Sequence, residues 1–329
     1  MLNFLALVVV SVLLSACFSI KNIPFSTNEP FNEQAISDSL NIQFNGIAHF
    51  YMLYKGSAVV TDPFLSNPSL HHVIFGKVYS DTQLIQSFNQ KPKSHHIKMI
   101  VIGHAHYDHI LDLPYYLPYL PENVLVLGGY NTVQLCKTLS LNKLVNVEPY
   151  AATDSMMGTW IYSTDSAVRI MPVCSYHLPH LGALHLWKGK YQKSLAAFPV
   201  KAKAFKKDAT FAYLIDFLFE KKIPVKRIYF SSSAAPFPNG FFPKNTLDEK
   251  SVDVAILSLA LSDRASCYPD MQIAYLMPKH TILCHWENFF RNRNKPLKLV
   301  GLTKHKIVFK RLGALRNLTR LYFIKPGNS

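Results

Sequence analysis

Residues 103–109 read Gly-His-Ala-His-Tyr-Asp-His. His104, His106 and His109 supply imidazoles, and Asp108 supplies a carboxylate. Neutral imidazole is a favoured ligand for Zn²⁺, and a carboxylate adds a hard oxygen that also handles protons. The apolar run Lys98–Ile102 precedes them and predicts a strand that ends just before the motif. A rigid strand would send alternate positions to opposite faces. A loop lets these four side chains converge on one ion.

The elements that must hold such a loop are short and β-rich. Runs rich in Val, Ile, Phe and Tyr recur at Ile42–Phe44, Ala48–Tyr54, Ala58–Thr61, Met99–Ile102, Val124–Leu127 and Ile170–Val173. They continue at Phe211–Ile215, Arg227–Phe230, Val252–Leu257, Thr281–Leu283 and Ile307–Phe309. Asp81–Asn89, Thr132–Leu139 and Pro269–Leu276 read as helices. Strands come in runs as well as alternating with helices. That pattern predicts an α/β fold of two mixed sheets with outer helices, not one doubly wound parallel sheet. The 329 residues are 49% hydrophobic and 17% charged, which suffices for a sizeable core and excludes a mainly disordered chain.

His104-x-His106-x-Asp108-His109 resembles the signature of the metallo-β-lactamase-fold hydrolases. The resemblance runs from about residue 41 to about residue 290. It implies an αββα sandwich of two mixed β-sheets flanked by helices. Asn41–Pro68 looks like that fold's opening hairpin, and Asp62, in Thr61-Asp62-Pro63, matches the family's structural Asp. Such an Asp braces the metal loop by hydrogen bonds and does not bind metal itself. Arg169–His177 matches the strand that delivers the next ligand, which makes His177 the choice. His180 is a rival ligand or a substrate contact. Thr281–Phe290 matches the last ligand strand, with His285 as ligand and Trp286 as a candidate substrate contact. The HxHYDH form and the His-Trp pair are similar to the branch containing N-acyl-phosphatidylethanolamine phospholipase D and the L-ascorbate-6-phosphate lactonases.

One position departs from the family. A bridging Asp in Gly-Asp-Thr-Gly is expected where this chain reads Ile228–Pro236, and Ser233 stands in its place. A neutral hydroxyl is a weak ligand. Three readings follow: one metal on His104, His106 and His177; two metals bound weakly, with another carboxylate such as Asp263 moved in; or a degenerate site. The resemblance implies one or two Zn²⁺ ions, with Mn or Fe as alternatives. It gives the second ion to Asp108, His109 and His285. With one ion, Asp108 would orient or deprotonate the attacking water and so act as the catalytic residue. The implied reaction is hydrolysis of a phosphodiester or an ester or lactone bond. Tyr107, Trp286, Phe289 and Phe290 flank the motifs and either line an apolar pocket or belong to the core.

Charge and the N-terminal segment supply the context. There are 35 Lys and Arg against 20 Asp and Glu, a formal net charge of +15. Lys188–Lys207 carries seven lysines, and residues 291–329 carry eleven Lys or Arg; neither stretch has an acidic residue. Each is either a solvated face or a patch for anionic lipid or an anionic small-molecule substrate. Residues 1–16 form an uncharged apolar run ending in Leu14-Ser15-Ala16-Cys17, which resembles a bacterial lipobox. The domain reading is a signal peptide at 1–16, a lipidated Cys17 with a linker at 17–38, and one hydrolase domain at 39–329. That places the protein on the membrane of the bacterial cell envelope, at its periplasmic or extracellular face. An uncleaved anchor or a plain secretory signal are the alternatives. Cys136, Cys174, Cys267 and Cys284 show no CxxC pair and read mostly as buried free thiols, while Cys174 and Cys284, next to site residues, leave a metal or redox role open. The competing function is a non-catalytic envelope lipoprotein on a degenerate fold. A nuclease ranks below it, because no nucleic-acid module is appended.

Overall fold

The computed structural model describes residues 38–89, 92–141, 143–220 and 222–327. The apolar run at 1–16, Cys17 and all of the expected linker but Asp38 lie outside the described residues.

Two mixed sheets form the body. The first has six strands in chain order: β1 (Asn41–Gly46), β2 (His49–Tyr54), β3 (Ser57–Thr61), β4 (Ile97–Val101), β5 (Leu125–Gly128) and β6 (Leu144–Asn146). β1, β2 and β3 pair antiparallel, and β3 through β6 pair parallel. The second sheet has seven strands: β7 (Ile161–Tyr162), β8 (Val168–Ser175), β9 (Thr210–Phe219), β10 (Ile223–Ser231), β11 (Val254–Ser258), β12 (His280–Cys284) and β13 (Arg320–Phe323). It too begins antiparallel and turns parallel from β10 onward. The sheets face each other across an aromatic core, where Phe50 meets Phe230 and Tyr54 meets Phe217. β2 and β3 are buried along their whole length, as expected of strands covered on both faces.

The three expected helices form at Thr82–Asn89, Tyr130–Lys137 and Asp270–Leu276. Asp81 starts the first of them, its carboxylate accepting the Leu84 N–H at 3.0 Å. Ile307–Phe309 is not a strand: it lies within the helix His305–Ala314. That helix buries His305, Val308 and Leu312, a helical spacing that a three-residue apolar run does not reveal. β6, β7 and β13, absent from the sequence reading, are short edge strands whose side chains are mostly half-exposed or exposed.

Parallel pairing has one consequence for the site. It puts the carboxyl ends of β3 and β4 at one edge, and likewise those of β10, β11 and β12. Asp62 follows β3, the 103–109 motif follows β4, His177 follows β8, and His285 follows β12. The two edges are tied together: Phe211 N donates to Gly103 O at 2.8 Å, and His285 N donates to Ile47 O at 2.7 Å. Among the described residues no helix is long and apolar enough to cross a membrane.

The second sheet is pinned by a buried ion cluster. Arg169, Asp216 and Arg227 stand directly opposite one another on β8, β9 and β10. Arg227 is fully buried and grips both Asp216 oxygens at 2.7 Å. Its remaining nitrogen donates to the carbonyls of Thr246 and Lys250. Removing one partner of such a pair strands a buried charge. Arg227→Met is expected to cost about 3–5 kcal/mol, read as a lowered urea midpoint.

Candidate metal centre

The motif loop turns because its residues cannot continue the strand. After Val101 the chain runs through Ile102 and Gly103 and enters a single helical turn, Tyr107–Ile110, with His106 at its N-cap. Gly103 is required by close approach: a Cβ there would lie 2.1 Å from Ser232 Oγ and 3.4 Å from Asp62 Oδ2. Asp62 ties both ends of the loop. Its Oδ1 accepts the Gly103 N–H at 2.7 Å, and its Oδ2 accepts from His109 Nδ1 at 2.8 Å. That fixes the His109 tautomer and leaves Nε2 as the lone-pair nitrogen.

Six ligand-type side chains gather into two groups of three. His104, His106 and His177 form one, and Asp108, His109 and His285 form the other; within each, the donor atoms lie within 4.8 Å of one another. In the first, His104 Nε2 and His106 Nδ1 stand 3.1 Å apart. His177 Nδ1 is bonded to the Leu178 carbonyl at 2.7 Å, which frees Nε2 for a ligand role. In the second, Asp108 Oδ2 lies 3.5 Å from the Nε2 atoms of both His109 and His285.

Burial sets the protonation states. It pushes His106 down to about 3 and drives His104 and His177 well below the ordinary histidine value. These rings are neutral at pH 7, the form that binds a cation. Burial alone would lower His109 as well, but the Asp108 and Asp62 carboxylates outweigh it and raise that ring. Burial would raise Asp108, but His109, His285 and His106 outweigh it and hold the carboxyl far below the usual range. His104 Nδ1, His106 Nε2 and His285 Nδ1 are buried without a hydrogen-bond partner. Buried, unpartnered nitrogens beside one ionised carboxylate fit divalent cations and waste hydrogen-bonding capacity otherwise.

A cavity of about 110 Å³ opens over both groups. His106, Asp108, His177, His180 and His285 form its polar floor, and Tyr107, Trp187, Phe289 and Phe290 contribute aromatic wall. Four of its lining residues, Trp187, Leu261, His285 and Leu302, hold left-handed φ between 53° and 66°. Such backbone costs of order 1–3 kcal/mol each and persists only where surrounding packing enforces it.

The remaining expected residues fall as follows. His180 lines the cavity, its ring stacked 4.7 Å from that of His177. Its Nδ1 accepts the Leu186 N–H, so the ring proton sits on Nε2. Trp286 is fully buried in the core and is not part of the cavity wall. Ser233 is off the wall too; its carbonyl accepts from Ser231 Oγ. The hydroxyl pressed against the motif loop belongs to Ser232, one residue earlier, and it is buried without a partner. Asp263 joins neither group of donors, so among the described residues no second carboxylate enters the site. The four thiols are free, and none is a member of either group.

Three contributors escaped the sequence reading. Asp112, fully buried, accepts from the backbone of Leu65 and Ser66 and from the Ser66 hydroxyl, and so secures the chain just after Asp62. Its spacing, three residues beyond His109, was the available signal. Lys207 sits in a run of lysines that reads as surface, yet it is buried, with its ammonium 5.8 Å from the Tyr176 ring. Burial pushes it down to about 8, and its charge helps hold the site histidines neutral. Trp187 immediately precedes that run and stands edge-on to His106 and Tyr107. Asn131 staples this wall to the helix Tyr130–Lys137: its amide donates to the carbonyls of Gly189 and Lys206, and its oxygen accepts the Tyr191 N–H.

No family model matches the sequence, and no curated protein is significantly similar to it. Solved structures resemble the chain over most of its length. Igni18, a novel metallo hydrolase from the hyperthermophilic archaeon Ignicoccus hospitalis KIN4/I, aligns over 88% of this chain and 96% of its own, with TM-score 0.50 and 15% identity. The metallo-β-lactamase fold protein YhfI from Bacillus subtilis aligns over 88% and 98%, with TM-score 0.51 and 9% identity. An isothiocyanate hydrolase from Delia radicum gut bacteria aligns over 87% and 97%, with TM-score 0.50 and 10% identity. At such identities the likeness establishes the fold, two mixed sheets with flanking helices in the metallo-β-lactamase arrangement.

Asp62→Ala should weaken metal binding by about 10–100-fold while leaving the fold intact, as measured by chelator competition and circular dichroism. Acid should destabilise the metal-free protein. The His106 ring stays neutral when folded down to about pH 3, whereas an unfolded histidine protonates near its ordinary value. The stability contribution is therefore complete above about pH 6.5 and lost, at up to about 1.4 kcal/mol per pH unit, as pH falls. Urea midpoints between pH 7 and 5 should fall less steeply in His106→Gln.

Proposed function

We propose that the protein is a metal-dependent hydrolase that cleaves a phosphodiester or an ester or lactone bond in an anionic or lipid substrate. The observation that carries this reading is the pairing of two three-donor groups under one apolar-walled cavity. The fold shared with Igni18 supports it.

His104, His106 and His177 would hold one cation, and Asp108, His109 and His285 a second; zinc suits this imidazole-rich set. A bound divalent cation supplies acidified water at neutral pH and positive charge for a developing oxyanion. The chain supplies the rest. Asp108 is ionised and buried: it would help hold the second cation or, with one ion bound, orient the attacking water through a hydrogen bond to its oxygen. His180 offers an Nε2–H from the cavity wall to an oxygen of the substrate or leaving group. Phe289, Phe290 and Trp187 exclude water and receive an apolar substituent. Lys207 biases the site toward negatively charged substrates.

The HYDH and His-Trp patterns favour the phospholipase D and lactonase branch over true β-lactamases. A lipidated Cys17 at the cell envelope would hold the cavity near a lipid surface. The missing bridging carboxylate is the observation that favours a non-catalytic reading, and turnover decides between the two.

Elemental analysis of the purified protein should find bound metal, and His106→Ala should lose most of it. Hydrolysis of phosphodiester, lactone and phospholipid probes should fall at least about 100-fold in that variant. A wild-type protein that binds no Zn, Mn or Fe would end the metal reading; metal without turnover would select the binding role.

A further inference from the structure

The chain that follows His285 has two sides. Phe289 and Phe290 face the catalytic cavity, while Glu287, Asn288 and Arg291 line a separate crevice of about 1010 Å³. The two spaces share no lining residue. Five cations line the crevice, Arg291, Arg293, Lys295, Lys298 and Lys325, against one carboxylate, Glu287.

That carboxylate attracts the Arg293 guanidinium and offsets one of the five cations, leaving the crevice with an excess of positive charge. Glu287 is buried, and its Oε1 is taken by the Ile47 N–H. Among the described residues, Arg291, Arg293, Lys295 and Lys298 form no ion pair. Arg293 is only half-exposed, and its guanidinium approaches the backbone so closely that a Cβ on Gly46 would meet it at 2.7 Å. Like charges gathered in a concave, partly desolvated space repel one another unless an anion joins them.

The crevice wall is held in place. Asn288 N donates to Lys298 O at 2.7 Å, and Val300 N donates to Trp286 O at 2.8 Å, which closes the segment into a hairpin. At its tip, Asn292 accepts the Asn294 N–H and the Lys295 N–H. Four of the five cations are therefore presented on a self-bonded loop, so little backbone ordering remains for a ligand to drive.

We propose that this crevice is a binding site for a phosphate-bearing ligand, distinct from the metal centre. Arginine forks match phosphate oxygens, and lysines at the rim add point charge. The volume exceeds what one phosphate group needs and suits a headgroup or a compound with several phosphates. No aromatic side chain lines the space, which argues against a strand of nucleic acid, where base stacking is the rule. The proposal stands independently of the hydrolase reading.

The test uses the full chain, with inorganic pyrophosphate as the soluble probe and vesicles of phosphatidylcholine with and without phosphatidylglycerol as the lipid probe. Lys295→Glu/Lys298→Glu reverses charge at two exposed crevice positions. Lys306→Glu/Lys310→Glu makes the same change in charge on the helix His305–Ala314. The crevice variant should bind at least about tenfold more weakly, with metal content and hydrolysis unchanged, while the helix variant binds as wild type. Binding should also weaken with salt. Pyrophosphate that binds and displaces the protein from anionic vesicles supports one site for both sources. Crevice-dependent binding of anionic vesicles alone supports a lipid headgroup. Equal losses in both variants, or no loss in the crevice variant, would overturn the proposal.

Discussion

The site depends on the Asp62 carboxylate and the two N–H groups it accepts. One oxygen holds the backbone at Gly103, where the motif begins, and the other holds the His109 ring, where it ends. Between those anchors the loop must present His104, His106 and Asp108 in one direction. Asp62 itself is held in left-handed backbone, with φ 36°. Its position is in turn secured by Asp112 immediately downstream. A strained, fully buried carboxylate that touches no expected metal ligand except through its ring proton is a positioning device. It also explains why the loop needs glycine at 103, since any side chain there would enter the space between Asp62 and Ser232.

The electrostatic design has two halves. The histidine triad is kept neutral by burial, while the Asp108 triad keeps one carboxylate ionised among imidazoles. The first half offers lone pairs, and the second offers lone pairs and a negative charge. Each half leaves at least one buried ring nitrogen without a hydrogen-bond partner, which is costly in a protein interior unless something else binds there. The Arg169–Asp216–Arg227 cluster on the second sheet shows the contrasting case, where every charge meets a partner and the function is structural.

The sequence made the site more legible than the fold's margins. His104, His106, Asp108 and His109 stand within one short motif, and local spacing alone announces them. His177 and His285 were reached only by matching their strands to a family pattern, because their neighbours in space are distant in sequence. Trp286 is fully buried in the core because the chain leaves β12 through left-handed backbone at His285, and a sequence pattern does not show how that turn redirects the next side chain. Ser232 and Ser233 show the same one-residue sensitivity at a strand end. Lys207 was hidden because a lysine-rich run reads as solvated, and only the fold shows that one member turns inward. The helix at 305–314 was missed because Ile307–Phe309 is too short to carry a period.

The stapling of the cavity wall by Asn131 divides the labour between rigid and replaceable parts. The six donors hang on strand ends fixed by two sheets. The segment bearing Trp187 and Lys207 contains little regular structure and is fastened by a few contacts, among them the Asn131 amide on the helix Tyr130–Lys137 and the Val78 N–H donating to Val200 O. Descendants of this chain could therefore trade that segment for another and reshape the cavity wall, leaving the floor of donor side chains untouched.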